Sequence, residues 1–198
     1  MQPVHVIDLS HHNDPVDLHA LKAFGAVGVI LKAGEGASYA DPKFKTFRAR
    51  AVTVFDEGCV HSYFFLDGSD PKAQMANYLS ITAGMPGRWL DYEQNASQCS
   101  LETAITACQV LQGKQGTWPG MYGSDKSALG AAMDAGHFSP CPKWIAEYDH
   151  KPSHPYSLWQ FSETGTIGAM SGVLDLSTFN GSAAECKAFL RAMAGFKA

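Results

Sequence analysis

Apolar residues along the chain alternate between two rhythms. Val27 to Ala33 (VGVILKA) is an almost continuous apolar run, the pattern of a strand covered on both faces as in a parallel sheet. Val4 to Leu9, Val60 to Leu66 and Trp89 to Asp91 read as further short strands. Between them the spacing turns helical. Val16, Leu18, Leu21 and Phe24 share one helix face. Pro42 serves as a first-turn residue for a helix to about Phe55, and Asp70-Pro71 starts another that reaches about Thr82. Ser100 with Glu102 opens a helix to about Gln112. A strand over Thr117 to Tyr122 follows, then a helix over Ser124 to Ala135 that closes at Gly136. Lys143 to Tyr148, Ser157 to Phe161 and Val173 to Leu176 are strands with little helix between them, and Ala183 to Met193 is a last helix. Regular alternation through five strands, followed by strands in close succession, predicts an α/β fold. Its expected form is an irregular TIM-like β/α barrel of eight strands and fewer than eight helices, one domain over 1–198.

Composition narrows the classes. The 198 residues are 45% hydrophobic and 17% charged, globular values that permit a proper core. A formal net charge of −4 with no long basic run argues against nucleic-acid binding. No apolar stretch approaches the roughly 20 residues that span a bilayer, so membrane insertion is not expected. The first strand begins almost at Met1 with no signal peptide ahead of it, which leads to the expectation of cytoplasmic synthesis. The five cysteines are scattered without a C-x-x-C pair and read mostly as buried thiols. His11 and His12 are adjacent, and no H-E-x-x-H occurs, so no metal or other cofactor is expected. G-x-G-x-x-G after a strand and G-x-S-x-G are also missing, which removes dinucleotide and serine-hydrolase readings.

The chemistry gathers at Arg88-Trp89-Leu90-Asp91-Tyr92-Glu93-Gln94, which follows the turn signal Met85-Pro86-Gly87. Residues two apart in an extended chain point to one side, with Cα atoms about 6.6 Å apart. Asp91 and Glu93 therefore face one cleft, with Tyr92 turned away. Crowded like charges and apolar neighbours raise a carboxyl pKa, which is how a general acid keeps its proton near neutrality. An isolated D-x-E is more often a pair of solvated acids. In a β/α barrel, however, the active site lies at the C-terminal ends of the strands. Asp8, Asp91 with Glu93, and Asp175 fall at or near that end of three proposed strands, and Glu35 follows a fourth. This shared placement favours a carboxylate-lined cleft. Asp8 and Asp175 have a structural alternative as hydrogen-bond partners at strand ends, and Glu35 reads more readily as structural. Tyr63, Phe65, Tyr122, Tyr148 and Trp159 lie near strand ends and are candidate aromatic walls of the cleft; the alternative for each is barrel core.

These residues occur within a longer ordered set. Ile7-Asp8-Leu9-Ser10-His11-His12, Ile30 to Gly36 with Asp41-Pro42-Lys43-Phe44, Leu90-Asp91-Tyr92-Glu93, Lys143 to Ala146, Trp159-Gln160-Phe161-Ser162 and Gly172 to Gly181 appear in that order over nearly the whole chain. The set resembles glycoside hydrolase family 25, the CH-type lysozymes or N-acetylmuramidases. Two positions depart from the family pattern: Ser62-Tyr63 stands where Tyr-His is frequent, and Gly34 where Thr is commoner. The resemblance implies an irregular β/α barrel that cleaves the β-1,4 bond between N-acetylmuramic acid and N-acetylglucosamine in peptidoglycan. It implies Glu93 as general acid/base, Asp91 as its acidic partner, and Asp8 and Asp175 as further acids in the cleft. The expected partner is the peptidoglycan glycan strand, met by a monomer acting on the wall after release or export, as a phage endolysin would. The rivals are a chitinase-like D-x-E barrel glycosidase and a glycan-binding module that has lost turnover.

Overall fold

The computed structural model describes residues 2–85, 87–93, 98–167 and 172–197. Pro86 and Gln94, read from sequence as part of the turn before and the segment after the central strand, lie outside that set. Nine strands form one sheet: β1 (Val6–Leu9), β2 (Gly28–Glu35), β3 (Tyr39–Ala40), β4 (Val60–Phe65), β5 (Arg88–Asp91), β6 (Gly120–Ser124), β7 (Lys143–Ala146), β8 (Leu158–Gly165) and β9 (Leu174–Phe179). Their order is β1-β9-β8-β7-β6-β5-β4-β2-β3, and β1 also pairs with β2. Eight strands therefore close on themselves, with β3 as a hairpin arm on β2. Seven barrel strands run parallel, while β9 lies antiparallel to both its neighbours, β1 and β8.

Six helices accompany them among the described residues: α1 (Leu18–Phe24), α2 (Phe44–Val54), α3 (Pro71–Ile81), α4 (Leu101–Gln115), α5 (Ala128–Asp134) and α6 (Ala183–Met193). Their ends follow local chemistry. Asp70 accepts the Ala73 N–H with Pro71 in the first turn, and Ser100 accepts the Thr103 N–H. Gly116, at φ 79°, caps the far end of α4 in a left-handed conformation. Among the boundaries that differ from the sequence reading, three have a direct local cause. Gly34 and Glu35 of the predicted loop are the end of β2, held by the β3 arm through pairing with Ala40 and Tyr39, and only Gly36 lies in the turn. The helix predicted from Pro42 starts at Phe44, because the Asp41 side chain first accepts the Lys43 N–H at 2.8 Å. The helix predicted from Ser124 starts at Ala128, because Gly123 and Ser124 remain paired with Ile145 and Ala146 in the barrel.

Strand alternation sorts the core into two parts. Ile7, Leu9, Val29, Leu31, Phe64, Leu90, Met121 and Ile145 point outward, into a layer shared with residues of the helices such as Phe44, Phe47, Met75, Tyr78 and Leu111. Val6, Ile30, Trp89, Tyr122, Trp144 and Leu158 form the second cluster with Cys186 and Leu190 of α6. The last helix thus closes the barrel at the N-terminal end of its parallel strands. The Trp89 indole N–H donates to His61 Nδ1 at 3.0 Å, and His61 Nε2 meets the Leu190 carbonyl at 3.0 Å. Burial holds His61 down to about 4, so the ring is neutral with its proton on Nε2. Arg191 grips both carboxyl oxygens of Asp56, at 2.6 and 2.7 Å, and fixes the helix from outside. Gly120 is required beside this plug, since a Cβ there would overlap the six-membered ring of Trp89. All five cysteines are buried. No helix among the described residues is long and apolar enough to cross a membrane.

Candidate active site

At the opposite end of the barrel a cavity of about 190 Å³ opens, and side chains from seven of the eight barrel strands line it. Asp8 comes from β1, Tyr63 from β4, Asp91 from β5, Tyr122 from β6, Trp144 from β7, Gln160 and Glu163 from β8, and Asp175 from β9. Glu93 and Tyr148 enter from the segments after β5 and β7. Five of the ten lining residues are carboxylic acids, and among the described residues none of the lining is a cation. The floor is aromatic. Trp144 packs on Tyr122 at 4.4 Å between ring centroids, on Trp89 at 5.7 Å and edge-on to Tyr63 at 6.3 Å.

This crowding sets the proton affinities. Asp8 and Asp175 stand directly opposite each other in the β1–β9 register, and both line the cavity. Burial and then the Asp175 charge push Asp8 well above the usual carboxylate range, and the Gln160 amide works against them. Burial also raises Asp175, Asp8 opposes that rise and Glu163 adds to it. The two facing carboxyls titrate as a pair. Asp91 is 6% exposed and is raised by burial and by Glu93, against the opposing charge of Lys32. Glu93 is raised by burial and by Glu163, again against Lys32. Among the described residues, Asp91 Oδ1 is the one buried side-chain nitrogen or oxygen without a hydrogen-bond partner. A buried acceptor left in this state costs about 1–3 kcal/mol, so the site holds it ready for an incoming donor. The phenols of Tyr63 and Tyr122 are raised by burial and by the surrounding acids and remain protonated donors.

A closed barrel bearing carboxyls at the C-terminal ends of its strands hosts many chemistries, and the sequence profile narrows them. The profile of glycosyl hydrolases family 25 matches residues 7–170. The chain belongs to that family. It is accordingly a glycosidase. Lysozyme M1 of Streptomyces globisporus is 25% identical over 90% of this chain and 68% of its own length. The autolytic lysozyme of Clostridium acetobutylicum is 24% identical over 88% of this chain, which spans 55% of that relative. The bacterial lysozyme from Streptomyces coelicolor shares the fold with a TM-score of 0.84 at 24% identity, over 98% of this chain and all of its own.

Within this family 25 barrel, seven of the ten residues singled out from sequence converge on the cavity: Glu93, Asp91, Asp8, Asp175, Tyr63, Tyr122 and Tyr148. Glu35, Phe65 and Trp159 are not among the lining residues. Glu35 instead pairs with Lys32 at 3.1 Å, and the Lys32 ammonium lies 5.4 Å from the centre of the Phe65 ring. Trp159 points out of the barrel, where its indole N–H donates to the Glu147 carbonyl at 2.6 Å and its ring meets Tyr156 and Phe161. Sequence reasoning missed Trp144, Gln160 and Glu163. Trp144 and Gln160 sit inside the motifs that carry the family resemblance, so the signal for them was present.

Proposed function

We propose that this family 25 chain is a muramidase, hydrolysing the β-1,4 bond between N-acetylmuramic acid and N-acetylglucosamine in peptidoglycan. The observation that carries the reading is the Asp91-x-Glu93 pair at a barrel mouth lined by five acids. Glu93 is the general acid/base. Its burial and the neighbouring Glu163 favour the protonated form that a leaving oxygen needs. Inverting enzymes separate their carboxyls by about 6.5–9.5 Å around a water, and direct-nucleophile enzymes place them about 5–5.5 Å apart across the bond. Asp91 and Glu93 issue from one strand end, which suits neither arrangement. The substrate's own 2-acetamido oxygen therefore attacks the anomeric carbon, Glu93 protonates the leaving oxygen, and Asp91 binds the acetamido N–H and stabilises the charged oxazoline-like ring. Glu93 then removes a proton from the water that opens the ring. The unpaired Asp91 Oδ1 is the acceptor this step requires. Tyr63, Tyr122, Tyr148 and Trp144 hold the sugar, and Asp8 and Asp175 complete the anionic wall. The enzyme acts as a monomer, without a cofactor, on the wall outside the cytoplasm. Both relatives from Streptomyces globisporus and Clostridium acetobutylicum are lysozymes, which supports the reading.

Mass spectrometry of fragments released from purified sacculi tests the substrate. New reducing ends on muramic acid support the reading. Cleavage of chitin but not sacculi replaces it with a chitinase, and binding without new reducing ends replaces it with a glycan-binding module. An NMR time course on a soluble glycan fragment tests the mechanism. The β-anomer appearing first supports substrate assistance, and the α-anomer first rejects it.

A further inference from the structure

Gln160 lies third in β8 and is 2% exposed. Its Oε1 accepts two phenol hydrogens, from Tyr122 at 2.8 Å and from Tyr148 at 2.9 Å. An amide oxygen has two lone pairs, and both are taken. The other end of the amide then has only one orientation left, with Nε2 donating to Asp8 Oδ2 at 3.0 Å. Tyr122 and Tyr148 therefore set which face of the amide meets the acid, and the amide sets which Asp8 oxygen is an acceptor.

We infer that Gln160 is a positioning residue, clamped by two phenols so that it holds Asp8 Oδ2 as an acceptor and leaves any proton on the Asp8–Asp175 pair to the remaining carboxyl oxygens. The amide touches no reacting atom in this scheme. It acts through Asp8, and its value for turnover rests on the reading of the cleft as the catalytic site. Asp8 is faced by Asp175 from β9, Asp91 and Glu93 from the end of β5, Tyr63 from β4 and Tyr122 from β6. Tyr148 faces it from the segment after β7, and Glu163 from β8. In that surrounding of acids and phenols, with Lys32 of β2 as the cation that acts on Asp91 and Glu93, a fixed donor to Asp8 opposes the accumulation of protons in the cleft.

Two variants separate this role from a merely structural one. Gln160→Met keeps length and removes the donor. Gln160→Glu keeps shape and reverses polarity, because a carboxyl at this position can donate to Asp8 only when protonated. Scanning calorimetry first establishes that each variant is folded. NMR of protein labelled at aspartate 13Cγ then reads the Asp8–Asp175 titration without substrate. We expect Gln160→Met to raise that titration by about one pH unit, the loss of one hydrogen bond to the charged form. On sacculi, kcat should fall about tenfold or more in both variants at pH 7, with KM changed far less. Gln160→Glu should regain activity at acid pH, where its carboxyl carries the missing proton, and Gln160→Met should not. An unchanged aspartate titration in a folded Gln160→Met overturns the inference, as does a wild-type pH profile in Gln160→Glu. A shifted titration in a protein whose wild type releases no muramic-acid reducing ends leaves the inference standing and removes the muramidase reading instead.

Discussion

Replacing Asp91 by Asn should make the protein more stable and far less active. The carboxyl is 6% exposed, its Oδ1 has no partner, and both burial and Glu93 disfavour its charge. The folded protein thus holds this group where its ionisation is disfavoured. Its raised pKa means that ionisation opposes folding, so this group's penalty is full only above the folded-state pKa. The penalty fades as pH falls through the folded-state pKa toward the unfolded value of about 3.9. An unmade hydrogen bond at a buried acceptor costs about 1–3 kcal/mol, and the neutral amide escapes most of the charge-dependent part. For a chain of this size 1 kcal/mol moves the melting temperature by about 2–4 °C, so a rise of about 2–12 °C is expected at pH 7. Two variants of the same chain differ only in this group, so the gap in melting temperature should close toward pH 4.

Activity should move the opposite way. A carboxylate about 4 Å from a positive charge, at an effective dielectric constant near 20, is worth about 4 kcal/mol. Most of that interaction exists only when the acetamido group has become an oxazolinium-like cation, so it lowers the barrier rather than strengthening ground-state binding. Asp91→Asn should lower kcat about 10²- to 10³-fold, with a smaller effect on KM. The assay is release of reducing ends from sacculi, run beside differential scanning calorimetry from pH 4 to 8. A variant less stable than wild type at pH 7 that keeps kcat within about threefold would refute both halves of the argument.

Glu93→Gln removes the transferable proton from a near-isosteric side chain, and kcat should drop about 10²- to 10⁴-fold with the melting temperature little changed; near-full activity in a folded variant excludes Glu93 as the acid. Asp125 lies away from the cleft and accepts hydrogen bonds from the Ser153 N–H and hydroxyl, and from the His154 N–H and Nδ1, at 2.7–3.2 Å. Those bonds hold its pKa at about 2, so its contribution is present above the unfolded value and disappears only as pH falls through about 2. Asp125→Ala should cost about 3 kcal/mol in urea unfolding at pH 7 without altering kcat. Among the described residues no three His, Cys, Asp or Glu side chains sit where they could hold a metal ion. EDTA treatment followed by desalting should therefore leave the rate unchanged, and recovery of a lost rate with Zn²⁺ or Mg²⁺ would count against that expectation.

The eight-strand barrel was legible because its signals are local. Apolar runs, Asp70-Pro71, Ser100 and Gly136 each act within a turn of chain. The cleft was legible where alternation holds. Asp91 faces inward two residues beyond Trp89, and Tyr63 two beyond His61. Trp159 and Gln160 show the limit of choosing residues by type. They are adjacent, so one must face out, and the aromatic residue was the attractive choice for a sugar wall. Gln160 faces in, and Trp159 covers the outside. Glu163 was illegible for a different reason. Counting from Gln160 in steps of two would leave it outside the barrel, but the β8–β9 register shifts between Gln160 and Ser162 and again before Gly165. A bulge adds a residue to one strand and reverses the parity beyond it, and nothing in Phe161-Ser162-Glu163 announces one.

Asp175 was placed at the correct rim for a reason the structure replaces. Read as parallel, the strand over Val173 to Leu176 would carry Asp175 near its end, where active-site residues of a parallel barrel sit. In the structure Asp175 is the second residue of β9, and a parallel strand would have set it at the closed end near α6. The reversal of β9 turns the start of that strand toward the open mouth. Antiparallel pairing also does what parallel pairing does not. It sets two residues directly opposite each other, with Cα atoms about 4.5–5.5 Å apart. Asp8 and Asp175 are such a pair, and at that spacing two carboxylates cannot both ionise freely. The single reversed strand therefore supplies the fourth acid and couples it to the first. That coupling places a pair of facing acids on the β1–β9 side of the cleft, while Asp91 and Glu93 approach from β5.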